Sequence, residues 1–299
     1  MSGKGKNAID MTGGSLWKNI LVFSLPLMMT QMLEVLFNLS DVAIAGKYAD
    51  YIALGAVGST ALLVSLFTGI LIGMGAGVNV RTAHQLGAEK TSGSSETVAR
   101  TVYSGLIVCL IIGIILCLVC NIFARPMLET LKTKDELIES AVLYLKIYAL
   151  GMPAMAVYNF GNGVLSACGE TKKPLVYLSI AGVLNVILNI SFVVVCKKAA
   201  DGVAIASVIA QYLSASMIMC HLLRRKDSCK LRLSNKYFDT SACGGVLMIG
   251  IPTGMQNAIF AVANLFVQTG VNHFDAVMVS GNSAAQNADT LIFNVMAAI

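Results

Sequence analysis

Long apolar runs dominate the chain, and short polar stretches separate them. Eight runs stand out, at residues 17–46, 52–80, 98–124, 140–166, 174–196, 202–223, 242–271 and 277–299. A helix that crosses the hydrocarbon core of a bilayer needs about 20 mostly apolar residues, and each run reaches or exceeds that length. The apolar positions are continuous and do not alternate every second residue, so the pattern predicts spanning helices and not barrel strands. Several runs exceed what a perpendicular span requires, which predicts tilt or breaks. Pro26, and Pro153 beside Gly151, predict kinks in the first and fourth spans. The polar opening Met1–Ser15 leads into a span too long for a signal-peptide core, so no cleavable leader is expected. The pattern therefore defines an all-α, polytopic transmembrane bundle.

Composition agrees with this. The 299 residues are 56% hydrophobic and 12% charged, where a soluble globular chain carries about 25% charged residues. The net charge of +5 could point to nucleic acid, but its distribution gives another reading. Fourteen of the 21 lysines and arginines fall in segments on the N-terminal side of the membrane and seven on the opposite side. That bias places the N-terminus in the cytoplasm. The basic stretch 224–236 then serves topology, and with no folded basic domain around it no nucleic-acid partner is expected. The eight cysteines are scattered, mostly within spans, and no disulfide framework is expected from them. Cys117 and Cys120 have redox-motif spacing but lie inside an apolar helix, where packing is the simpler reading. His84, His221 and His273 fall at span ends or in loops, and none reads as a ligand.

A weak internal repeat organises the spans. A shift of 226 residues superposes Pro26 on Pro252, Asn38 on Asn264 and Gly55 on Gly281. The copies lie an even number of spans apart and share orientation, as in transporters built from two parallel six-helix halves. The expected division is a six-helix lobe over 1–223, a basic linker over 224–240 and the first two helices of a second lobe over 241–299. Two such repeats need about 450 residues, so the repeat predicts a further stretch of chain beyond Ile299. The chain holds no phosphate-binding loop of the G-x-x-x-x-G-K-[ST] type, so an ion gradient is the expected energy source.

Ionisable side chains at mid-membrane are costly and point to function. Three acids sit well inside spans: Glu34, Asp41 and Asp289. Glu34, Asn38 and Asp41 are spaced i, i+4, i+7 on one helix face, and Gln31 extends the stripe. A carboxylate on such a face can bind Na⁺, release a proton or pair with a cationic molecule; bonding to a neighbouring helix is the bland alternative. Asn185 and Asn189 share a face of the fifth span, where carboxamides can coordinate Na⁺ or act as interhelical glue. Asn282, Gln286 and Asp289 repeat the i, i+4, i+7 spacing in the eighth span, as a cavity between two lobes requires. Tyr158 and Phe160 could stack on a planar cation or simply pack. Glycines 69, 73, 75 and 77 in the second span read as close helix packing.

Several motifs, in order, resemble one family. Leu16-Trp17-Lys18, Ser24-Leu25-Pro26, Asn38-Leu39-Ser40-Asp41 and Gly46 are similar to the opening helix of multidrug and toxic compound extrusion (MATE) transporters. Gly73-Met74-Gly75-Ala76 and Leu86-Gly87-Ala88 resemble their second helix and the loop after it. The turn Ala167-Cys168-Gly169-Glu170-Thr171-Lys172-Lys173-Pro174 is the most specific match. It leads into Leu184-Asn185-Val186-Ile187-Leu188-Asn189 and then Gly202-Val203-Ala204-Ile205-Ala206. The resemblance implies two six-helix bundles around a V-shaped cavity in the plasma membrane, exporting lipophilic, often cationic, compounds in exchange for Na⁺ or H⁺. It places the family's first-helix acid on Asp41, with Na⁺ as a candidate ligand there, and its helix-five polar pair on Asn185 and Asn189. Many members carry an acid where Asn189 stands, which weakens a two-carboxylate Na⁺ site. An acid in helix eight of the subgroup corresponds to Asp289.

The resulting expectation is a transporter and not an enzyme, with no cofactor beyond the transported Na⁺ or H⁺ and no obligate protein partner. Asp41, Asn38, Asn185 and Asn189 would handle the cation. Glu34, Gln31, Tyr158, Asn282, Gln286 and Asp289 would line the cavity for small lipophilic or cationic substrates. A flippase for a lipid-linked sugar is the alternative; it calls for a basic cavity, whereas the mid-membrane charges here are acidic. An acid-dyad intramembrane protease pairing Asp41 with Asp289 lacks any supporting motif.

Overall fold

Burial of the apolar runs against one another builds an all-helical bundle, seen in a computed structural model that describes residues 16–49, 51–92, 95–131 and 133–271. The elements in chain order are α1 (Leu16–Tyr48), α2 (Tyr51–Ser92), α3 (Ser95–Thr130), α4 (Asp135–Ala149), α5 (Met152–Ala167), α6 (Lys172–Ile190), α7 (Ala200–Arg224) and α8 (Thr240–Val271). Five of them, α2, α3, α6, α7 and α8, are long and apolar enough to cross a membrane. The predicted fourth span is broken: α4 and α5 meet at a 45° bend, with Gly151 capping and Pro153 in the first turn of α5. Proline has no N–H to give the preceding turn, so the break falls where the sequence places it. By contrast, α1 continues through Pro26 as one helix. The second helix also outruns its predicted span, extending to Ser92 through the polar stretch after Val80.

The centre of the bundle is α2, which packs against α3, α4, α5 and α8. Its glycines explain how so many neighbours fit. A methyl group on Gly73 would run into the backbone of Gly254 on α8, and one on Gly77 would sit 2.6 Å from Val246 O. Two helix backbones touch there, the geometry that small residues permit in membranes. Asn257 adds a hydrogen bond from its side chain to Gly69 O, 3.1 Å away. The outer faces of the helices keep large apolar side chains exposed, among them Leu118, Ile122 and Phe123 on α3 and Met248 and Ile259 on α8. Lipid, not water, is the medium that such a surface suits.

The linker after α7 folds back onto the turn between α5 and α6. Arg225 is buried, pairs with Asp227 and lies 3.3 Å from Glu170 of that turn, while His221 Nε2 stands 3.5 Å from the same carboxylate. Cys168 and Cys229 are joined here as a disulfide. The sequence predicts no disulfide framework, and this one pair escapes that reading, because the two are 61 residues apart in sequence and become neighbours only when the linker folds back. His221, read from the sequence as an uninvolved span-end residue, joins the same cluster and meets Tyr177 Oη at 3.1 Å.

Candidate cation site

Three helices converge on Asp41. It lies in the second half of α1, and α1 packs along α6, which in turn packs on α7. The crossing of α1 and α6 is close because position 182 is glycine; a side chain there would overlap the ring of Phe37. That approach places Asn185 and Asn189, one turn apart on α6, opposite Asp41. Just beyond Asn189 the helix widens into a π-helical turn over Ser191–Val195, a distortion common beside functional sites.

The four polar side chains close a ring of hydrogen bonds. Asn189 Nδ2 donates to Asp41 Oδ1 at 2.5 Å and to Asn185 Oδ1 at 3.2 Å. Asn185 Nδ2 donates to Ser207 Oγ on α7 at 3.2 Å, and Ser207 Oγ donates to Asp41 Oδ2 at 2.9 Å. All four residues are buried, and Asn189 is 0% exposed. One atom is left over: Asn189 Oδ1 is buried without a hydrogen-bond donor. An unsatisfied buried acceptor costs about 1–3 kcal/mol, so a cation or proton arriving there is met by an oxygen that needs it. A hard monovalent cation takes oxygen ligands, and the ring supplies carboxylate, carboxamide and hydroxyl oxygens within one cluster.

The ring opens on a cavity of about 120 Å³. Glu34, Phe37, Tyr148, Tyr158, Gln211 and Thr68 contribute to its wall along with Asp41, Asn185 and Ser207. Tyr158 is buried, and its hydroxyl donates to Pro174 O at 3.2 Å, so it forms a fixed wall of this cavity. The structure thus brings together Asp41, Asn185, Asn189, Glu34 and Tyr158. Gln31 and Asn38 lie on α1, but their side chains fall outside what is described. Asn282, Gln286 and Asp289 lie outside the described residues altogether.

Sequence reasoning missed Ser207 and Gln211. The signal was present: Ser207, Gln211 and Ser214 stand at i, i+4 and i+7 on α7, the same spacing that singled out α1, and all three line the cavity.

A helical bundle with spanning-length apolar helices and a carboxylate buried among them is an arrangement that membrane transporters use. Comparison with known proteins narrows the class. The family model described as MatE matches residues 26–191, and the chain belongs to that family of transporters. It is 26% identical over 287 residues to the "Probable multidrug resistance protein YpnP" of Bacillus subtilis, covering 95% of this chain and 63% of that protein. To the "Multidrug resistance protein PmpM" of Pseudomonas aeruginosa it is 25% identical over 290 residues, covering 93% of this chain and 58% of that one. Among solved structures, the fold superposes with a TM-score of 0.86 on an outward-facing multidrug resistance MATE family transporter, at 20% identity, covering 99% of this chain and 65% of that chain. The chain therefore spans roughly three fifths of the length of the curated relatives it matches.

Proposed function

We propose that the chain forms the first lobe (1–223), the linker (224–240) and the start of the second lobe (241–299) of a plasma-membrane antiporter. In this reading it exports lipophilic cations in exchange for Na⁺ or H⁺, with its N-terminus in the cytoplasm as the lysine and arginine bias indicates. The observation that carries the reading is the buried Asp41 ring with its one spare oxygen on Asn189.

The ring couples loading to helix packing. Both Asp41 oxygens accept hydrogen bonds, one from α6 and one from α7. A proton on Oδ1 turns that acceptor into a donor and breaks the link to Asn189 Nδ2, which can only donate. The carboxylic acid can then donate to Asn189 Oδ1 once the amide turns. A proton on Oδ2 is met by the Ser207 hydroxyl, which can accept as well as donate. Bound Na⁺ has the same requirement, because it needs oxygens where the amide now presents nitrogen. Either event re-sets α1 against α6 and α7, whose side chains wall the adjacent cavity. Loading of the ion and the shape of the cargo space are then two readouts of one rearrangement.

A cationic cargo fits the lining. Glu34 and Asp41 face the cavity, and among the described residues no lysine or arginine does, whereas a lipid-linked sugar flippase would need bases for a pyrophosphate. Ethidium accumulation by cells expressing the complete gene, wild type beside Asp41→Asn, tests the proposal under separately imposed Na⁺ and pH gradients. Wild-type cells accumulate less ethidium than cells carrying Asp41→Asn, and the gradient that matters names the ion. Equal accumulation in correctly inserted wild type and vector-only cells would move the flippase reading ahead.

A further inference from the structure

Beyond the α5–α6 turn the linker continues as a strap along the flank of α3. Tyr103 Oη donates to Asn235 Oδ1 at 3.1 Å, and Asp239 N donates to Ser104 Oγ at 2.9 Å. The depth of these contacts follows from α3. Residues 101–124 carry no charge, with Arg100 at one end and Arg125 at the other. At about 1.5 Å per residue an uncharged run of that length fills a hydrocarbon core about 30 Å thick, so Tyr103 and Ser104 stand at its edge. Residues 235–239 therefore lie beside the bundle at the level of the lipid headgroups.

The two faces of the strap differ. Cys229, Leu231 and Tyr237 are buried and hold it to the protein, with Leu231 N donating to Leu222 O at 3.1 Å. Lys226, Lys230, Arg232 and Lys236 are exposed. So are Leu233 and Phe238, at 61% and 48%. One ring fixes two of the cations: Arg232 Cζ lies 5.6 Å and Lys236 Nζ 5.1 Å from the centre of Tyr237, and Arg232 Nη1 donates to Tyr237 Oη at 3.0 Å. Like charges gathered on one ring repel unless an anion joins them. Among the described residues, no acid pairs with any of these exposed cations. Asp227 is taken by Arg225, Glu89 accepts from Ser228, and Asp239 accepts from Ser241 N at the start of α8.

We infer that the strap is a binding site for an anionic phospholipid, with Arg232 and Lys236 on the headgroup phosphate and Leu233 and Phe238 against the acyl chains. Basic side chains at the bilayer surface attract anionic lipid, and apolar side chains beside them add burial in the interface. A nucleic acid would meet the cations but leave Leu233 and Phe238 in water. In the orientation proposed above, the strap meets the cytoplasmic leaflet, the more anionic one. The site is independent of the coupling ion and of the cargo.

The experiment uses protein from the complete gene in detergent, and native mass spectrometry follows bound lipid during titration with dioleoylphosphatidylglycerol or dioleoylphosphatidylcholine. Wild type is expected to half-saturate at a phosphatidylglycerol concentration about tenfold or more below that for phosphatidylcholine. Arg232→Gln combined with Lys236→Gln removes that preference, whereas the exchange of Arg232→Lys with Lys236→Arg keeps it. Leu233→Ser combined with Phe238→Ser weakens both lipids about threefold or more. Arg125→Gln is the control at the other edge of α3, where the guanidinium is already paired with Glu139, and it leaves both affinities unchanged. Equal phosphatidylglycerol binding by wild type and the double glutamine variant would overturn the site. Loss of binding in the exchange variant as well would assign the pair to structure. Displacement of the lipid by equimolar inorganic phosphate would make this a site for free phosphate, and tighter binding of a short single-stranded RNA would make it a nucleic-acid surface.

Discussion

Asn189 Nδ2 and Asp41 Oδ1 lie 2.5 Å apart although 148 positions separate the two residues in sequence. The contact joins the first helix of the lobe to the sixth, and Ser207 extends it to the seventh. A buried carboxylate held from two helices by two neutral donors is a junction whose bonding would change on loading with the cation of the proposed function. A site of this kind responds to its ligand through packing, which is how a small ion can govern a larger cavity.

Ser207 supplies one of the two donors to Asp41 and accepts from Asn185, so Ser207→Ala opens the ring at two bonds. Losing a hydrogen bond to a charged group costs about 1.5–3 kcal/mol. The expected result is an apparent affinity for the coupling ion weakened about tenfold or more, since ~1.4 kcal/mol corresponds to a factor of ten. Ser207→Thr keeps the hydroxyl and should stay within about threefold of wild type by the same conversion. Transport rate against ion concentration measures both, and an unchanged Ser207→Ala would remove Ser207 from the site.

Asn189→Asp places a second carboxylate against Asp41. Two carboxylates at hydrogen-bond distance cannot both be ionised and unpartnered, so they share a proton or a metal ion. The variant is expected to lower the Na⁺ concentration for half-maximal transport at least threefold at neutral pH. It should also lose activity when Na⁺ is withdrawn. A Na⁺ response identical to wild type would mean that position 189 lies off the ion's path.

The contact between α2 and α8 rests on the absence of side chains at Gly73 and Gly254. Gly73→Leu forces two helix backbones apart, and overpacking of this kind costs about 1–3 kcal/mol or more. The variant is expected to melt at a lower temperature and to lose transport although the Asp41 ring lies elsewhere. Gly58 has open space around it, so Gly58→Ala on the same helix should match the wild type in both assays. Equal behaviour of the two variants would show that the backbone contact is dispensable.

The sequence made these helices legible because apolar runs of spanning length leave the backbone few other ways to satisfy its hydrogen bonds in lipid. The Gly151–Pro153 break and the glycine packing of α2 were legible for similar local reasons. Asp41, Asn185 and Asn189 were each visible as costly polar groups within apolar runs. Their closure into one ring was not visible, since it depends on the crossing of α1 and α6 at Gly182. Ser207 escaped notice because the stripe it forms with Gln211 and Ser214 carries no charge, and neutral polar residues in an apolar helix resemble packing residues until the helix is placed. The Cys168–Cys229 pairing was hidden for the same reason: it exists only because the linker folds back on the α5–α6 turn.

That fold-back is held by two devices that join the same turn to the same linker, which makes its energetics testable. Arg225 is buried beside Glu170 and Asp227, and the disulfide joins the same turn to the same linker. Removing one partner of a buried ion pair costs about 3–5 kcal/mol, because the remaining charges stay desolvated. Asp227 is a quarter exposed, so the lower end applies to its share. With the disulfide intact, the linker stays anchored when Arg225→Met removes the pair; after reduction, only hydrogen bonds such as Ser228 Oγ to Glu89 Oε1 hold it. Contacts that share a structural element are not additive. Arg225→Met is therefore expected to lower the melting temperature more in reduced than in oxidised protein. Arg225→Met combined with Glu170→Gln, which also removes one of the stranded carboxylates, should regain part of the loss. Equal shifts in both redox states would mean that the ion pair and the disulfide hold separate parts of the linker.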